Sequence, residues 1–165
     1  MGLFGCMNQI ERAPGGLLRR SQQEPALSGN GDKLAVIVDQ VGRPTVQLRD
    51  LRNGQIVPLR HLSRHQPHSS PSLSWNARYI AVIAQRRNKR LAIIEDRLNG
   101  RFHALPLPRE LSPVRLSLAP DARQLALQFA VNGKWRIEIF DLTQTLEPDL
   151  PGGIPLPLNS SRTRE

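Results

Sequence analysis

One cysteine, Cys6, occurs in the 165 residues, so no disulfide can form within the chain and the fold cannot rest on an oxidising compartment. Nowhere do apolar residues run for the roughly 20 positions that a membrane-spanning helix needs, which argues against a transmembrane span. Aromatic residues are scarce at 4%, limiting what any one segment can bury. Carboxylates are in deficit as well: 14 acidic residues face 23 basic ones, a formal charge of +9. Lysine supplies only Lys33, Lys89 and Lys134 of that excess, and the rest is arginine. Such a charge suits an anionic surface on a partner, whether protein, lipid or nucleic acid. The arginines are spread over every segment, however, and a solvated basic surface accounts for them without any ligand. Catalytic signatures are also missing. There is no Gly-x-Ser-x-Gly elbow, no glycine-rich phosphate loop, no His-Glu-x-x-His and no cysteine beside a repeat, so no catalytic residue, metal or cofactor is expected.

What the chain does have is punctuation: 14 prolines and 12 glycines among only 39% hydrophobic residues. That composition suits many short strands better than long helices. Near the start, Leu3-Phe4-Gly5-Cys6 has the form of a lipobox, at which bacterial lipoprotein precursors are cut to leave a lipidated cysteine. Only five residues precede Cys6, too few for the charged and apolar regions of a signal peptide. Either the start lies upstream or the match is accidental, and Cys6 stands as a candidate lipidation site.

A short phrase recurs three times, which points to a repeat architecture. The copies open Pro25-Ala26-Leu27-Ser28, Pro71-Ser72-Leu73-Ser74 and Leu116-Ser117-Leu118-Ala119. Each continues through a turn into an apolar segment entered by Leu34-Ala35, Ile80-Ala81 or Leu125-Ala126. Fifteen positions past each of these alanines stands Asp50, Asp96 or Asp141, and nine further on Leu59, Leu105 or Leu150. Between alanine and aspartate lie two apolar segments split by a polar tip, the pattern of a hairpin. Asn53-Gly54 and Asn99-Gly100 then supply the dipeptide favoured in a type I′ turn, whereas the third copy has Gln144-Thr145 there. Four antiparallel strands in each repeat of about 45 residues make an all-β chain of three propeller blades. The expected blades are 25–60, 71–105 and 116–150, preceded by a linker over 1–24 and followed by an extended or disordered tail over 151–165.

Several residues invite a functional reading. Asp50, Asp96 and Asp141 have the type for metal or acid–base work, but each ends a strand before a turn, where a carboxylate accepts backbone N–H groups. The same holds for Asn30, Asn76 and Asp121 in the preceding turns. His61, His65 and His68 lie close enough in the link Arg60–Ser70 to share a metal ion, yet no nearby carboxylate or cysteine completes a ligand set, and a solvated loop is the plainer reading. Arg86, Arg87, Lys89 and Arg90 form the densest basic cluster, placed by the repeat on the central hairpin of the middle blade. There they suit contact with an anionic partner, or simply a solvated tip that discourages edge pairing.

The segments Ser74-Trp75-Asn76-Ala77-Arg78-Tyr79-Ile80-Ala81 and Ala119-Pro120-Asp121-Ala122-Arg123-Gln124-Leu125-Ala126 resemble the Ser-Pro-Asp-Gly-Lys-Tyr-Ile-Ala phrase of TolB-like propeller repeats. The resemblance covers Pro25 to Leu150, and with Cys6 ahead of only three repeats it extends to small cyanobacterial TolB-family lipoproteins. It implies a non-catalytic, protein-binding or scaffold role in the bacterial periplasm or envelope, or in the cytoplasm if Cys6 is unmodified. TolB-like propellers also precede the catalytic domain of some serine peptidases, so an accessory role to a hydrolase is a further reading. A basic module that binds nucleic acid or anionic lipid is another. TolB has twice as many blades and a separate N-terminal domain, so no binding residue carries over. Propellers close with roughly four to eight blades, and a homodimer joining three blades to three would match the TolB ring.

Overall fold

The computed structural model describes residues 21–64 and 67–152. Within them eleven strands form three antiparallel sheets. The first blade holds β1 (Gln22–Leu27), β2 (Lys33–Gln40), β3 (Arg43–Asp50) and β4 (Ile56–Val57). The second holds β5 (His68–Leu73), β6 (Tyr79–Arg86), β7 (Lys89–Asp96) and β8 (Arg101–Ala104), and the third β9 (Pro113–Leu118), β10 (Gln124–Val131) and β11 (Lys134–Asp141). The strands pair in chain order within each sheet, and the repeat marks keep one register. Ala35 faces Leu48, Ala81 faces Ile94 and Ala126 faces Ile139 across the central hairpins.

Because side chains alternate across a strand, each blade offers one face to each neighbour. The middle blade is apolar on both. Ile80, Val82, Ala84 and Ile93 meet Ala35, Ile37, Val46 and Leu48 of the first blade. Tyr79, Ala81, Ala92 and Ile94 meet Leu118, Leu125, Leu127 and Phe129 of the third. Full burial of each Leu, Ile or Phe in these layers stabilises by about 1.5–3 kcal/mol. Backbone bonds between turns tie the blades further: Asn30 N donates to Trp75 O at 3.0 Å, and Trp75 N to Pro120 O at 2.7 Å.

The ends of this stack differ. On the outward side of β2, Val36 and Val38 are only 4% and 1% exposed. On the outward side of β11, Trp135, Ile137 and Ile139 are 70%, 59% and 59% exposed. The edge of β11 is open as well, because the third sheet has three strands among the described residues. The fourth strand expected up to Leu150 is therefore corrected. With Gln144-Thr145 in place of Asn-Gly, residues 142–146 close a helical turn, in which Thr145 N and Leu146 N both donate to Leu142 O. Asp149 is then held away from β11: its N–H donates to Asp121 O, and its carboxylate binds the turn of the second blade.

Candidate functional site

At the turn end of the blades, the three repeat aspartates sit where their strands stop. Asp50 accepts the Arg52 N–H at 2.9 Å, Asp96 the Leu98 N–H at 3.0 Å and Asp141 the Thr143 N–H at 2.8 Å. Hydrogen bonds from the Arg52 side chain, then from its backbone N–H, hold the Asp50 carboxyl well below the usual carboxylate range. The Thr143 N–H lowers Asp141. Lys33 reaches Asp50 at 3.2 Å. Arg78 bridges Asp96 at 3.0 Å and Glu147 at 2.8 Å and lies 4.9 Å from the centre of the Tyr79 ring. Burial, followed by the nearby Asp96 charge, pushes the Tyr79 phenol up to about 12.

Asp149 completes this end. Its carboxylate accepts Ser74 Oγ at 2.5 Å, Asn76 N at 2.8 Å and Asn76 Nδ2 at 2.8 Å. The equivalent positions in the other copies are Pro58 and Ala104, so a lone carboxylate at that offset was the available signal. Glu95 went unnoticed in the same way: buried beside Asp96, it accepts the N–H groups of Arg60, His61 and Leu62 at 2.8–2.9 Å. It thereby caps the short 3-10 turn Leu62–Arg64. Both are packing devices, and each joins segments distant in the chain.

His61 and His68 bind different partners. His61 packs on Phe102 with ring centres 5.9 Å apart, and its Nε2 lies 2.6 Å from Gly100 O. His68 is buried at the start of β5, where its Nδ1 accepts the Val46 N–H of the first blade at 3.0 Å. The solvated-loop reading of the link thus fails at His68, because β5 starts inside the link and turns that ring toward β3. His65 lies outside the described residues, as does Cys6. Among the described residues no three His, Cys, Asp or Glu side chains gather to hold a metal.

On the axial side, β1, β5 and β9 lie next to one another and enclose a 360 Å³ cavity lined by Glu24, Pro25, Ser70, Pro71, Val114 and Arg115. Glu24 and Ser70 both precede proline yet have φ of 53° and 52°, a conformation side chains other than glycine rarely adopt. Bulges in β1 and β5 at these positions account for it. The Glu24 carboxylate accepts the Ser70 N–H, and Ser70 Oγ accepts the Leu116 N–H at 2.9 Å, so the polar groups of the bulges bind one another.

At the opposite, hairpin end, Arg86, Arg87, Asn88, Lys89 and Leu91 line a 590 Å³ groove together with Arg109. Arg90 belongs to the same hairpin. Arg109 comes from the link between β8 and β9, outside the repeat register, which is why sequence spacing did not connect it with the cluster.

Two four-stranded blades and one three-stranded blade, stacked with their inner strands β1, β5 and β9 adjacent, define an open β-propeller array among the described residues. Among solved structures, the fold is that of TolB-type propellers. TolB from Acinetobacter baumannii superposes with a TM-score of 0.59 at 16% identity, covering 73% of this chain and 30% of that one. A TolB-designated protein from Agrobacterium tumefaciens gives 0.59 at 11%, over 74% and 46%. The propeller domain of the Trilobed protease from Pyrococcus furiosus, described as having an open velcro topology, gives 0.57 at 15%, over 79% and 41%. The chain thus spans less than half the length of each. No family model and no curated protein matches the sequence. No helix among the described residues is long and apolar enough to cross a membrane.

Proposed function

We propose that the chain is a non-catalytic propeller module that binds a partner protein at the bacterial cell envelope. The observation that carries this reading is the open end of the third blade. Trp135, Ile137 and Ile139 stand side by side on β11, more than half exposed, beside a strand edge that has no neighbour in its sheet among the described residues. In the middle blade the equivalent layers are covered on both sides. An apolar sheet face of this kind marks an interaction surface, and an open edge accepts an added strand.

A second copy of the chain is one occupant, giving the three-plus-three ring. It would have to present the outward side of its first blade, where Val36 and Val38 are already buried, so a different protein fits the open end better. Envelope location is supported by the Leu3-Phe4-Gly5-Cys6 sequence and by the likeness to TolB-type structures. Mass spectrometry of native protein tests it: a diacylglyceryl Cys6 supports the envelope, and an unmodified Cys6 behind an intact Met1 removes that support.

The docking end is tested by placing a photo-crosslinking residue at Ile137 in the native host, with Val41 on a hairpin tip as the control position. Adducts to one other envelope protein from Ile137 alone support the reading. Adducts at twice the 18.5 kDa chain mass identify a second copy, and none at either position refutes docking at this end. The likeness to the protease propeller favours one other reading, an accessory domain for a hydrolase. Adducts to a peptidase would select it.

A further inference from the structure

We infer that the hairpin groove of the second blade receives an acidic, extended segment of a partner protein. This rests on the protein-binding reading above and names a second contact, at the end of the blades away from the turns. Two features of the hairpin oppose stability. Arg86 and Lys89 are paired directly across the strands, where like charges repel. Arg87, a bulky side chain, sits at the tip with φ of 55°, in the sparsely populated left-handed region. Arg109 adds a further cation from the adjacent link.

At the turn end Lys33, Arg52 and Arg78 are all paired with carboxylates. Among the described residues no carboxylate pairs with Arg86, Arg87, Lys89, Arg90 or Arg109. A carboxylate-bearing ligand would remove the repulsion and gain forked hydrogen bonds from the guanidinium groups. The shape selects the class of ligand. The groove has Leu91 among its lining residues, so a chain carrying an apolar side chain between acidic ones can fill it, whereas a planar lipid surface meets only the tip. No aromatic residue lines it, which leaves nucleic acid bases without a stacking platform.

The test is fluorescence anisotropy on the full chain with a fluorescein-labelled dodecapeptide of glutamates around one central leucine. Saturable binding is expected, weakened by about tenfold or more in the Arg86→Gln/Arg109→Gln double variant. It should be unchanged in Arg123→Gln, a control at the turn end, with far-UV circular dichroism and the melting temperature checking that both variants fold. Replacing the peptide leucine by serine should also weaken binding. The inference is overturned if the peptide does not bind, if the double variant binds it as tightly as wild type, or if phosphatidylglycerol vesicles or a single-stranded oligonucleotide bind more tightly through the same arginines. Crosslinking from Ile137 reads the other surface, so failure of the groove and failure of the docking end are distinguishable.

Discussion

Replacing Asp149 by alanine should loosen the third blade from the second more than any other single polar substitution in the described residues. Asp149 is 5% exposed, and its carboxylate receives three hydrogen bonds of 2.5–2.8 Å from Ser74 and Asn76. A hydrogen bond to an ionised group contributes about 1.5–3 kcal/mol. Three on one acceptor act as a unit, so their sum overshoots, and a loss of about 3 kcal/mol is expected once solvent reaches the vacated donors. For a chain of this size that lowers the melting temperature by about 10 °C. Asp149→Asn keeps the shape but turns an amide donor toward groups that also donate, and should cost about half as much. Urea titration followed by tryptophan fluorescence measures both. The chain has two tryptophans, and a Trp135→Phe background leaves Trp75, in the very turn that Asp149 holds. Glu147→Gln is the control: its carboxylate is 40% exposed in its pair with Arg78, so under about 1 kcal/mol should be lost. An Asp149→Ala midpoint equivalent to wild type within about 0.5 kcal/mol would show that the carboxylate does not hold the blades together.

Gly29→Ala should destabilise by about 1–3 kcal/mol through overpacking, since a Cβ there would meet the Trp75 ring at 2.6 Å; a thermal melt indistinguishable from wild type would mean that the ring shifts freely. The Asp50 carboxyl is depressed in the folded chain, so its contribution is present above the ordinary carboxylate range and lost as pH falls through the folded value. Asp50→Asn should therefore flatten the acid limb of the stability profile, and an unchanged limb counts against the pairing. Tyr79 shifts the other way. Its folded value near 12 lies above the ordinary 10.0, so its contribution is complete below pH 10.0 and lost as pH rises through about 12. It is the single tyrosine of the chain, so the ultraviolet tyrosinate titration reads it alone, and a midpoint near the ordinary value would refute its burial.

Much of the architecture was legible in the sequence because blade packing repeats. Ala35, Ala81 and Ala126 mark the same register point, and Asp50, Asp96 and Asp141 stop the same strand. A repeat register reports only what the copies share. It could not say where residues 142–150 go once the Asn-Gly turn is replaced, since that depends on a carboxylate reaching across to Ser74 and Asn76. Arg109 was invisible for a related reason: it lies in a link, and only the folded link brings it beside Arg86 and Lys89. His68 looked like a loop residue because its link also holds Pro67 and three serines, and the bulge between Ser69 and Ser72 in β5 has no sequence signature as plain as an alternating strand.

The unequal ends of the stack set how the molecule can grow. Identical units joined head to tail extend without limit unless the geometry closes into a ring. That requires a receptive surface at both extremities. Here Trp135, Ile137 and Ile139 are exposed at one extremity, while Val36 and Val38 are withdrawn from solvent at the other. On the docking reading proposed above, a body with one exposed extremity takes on one guest and then stops, which would protect an apolar, strand-edged surface from seeding fibres of its own kind.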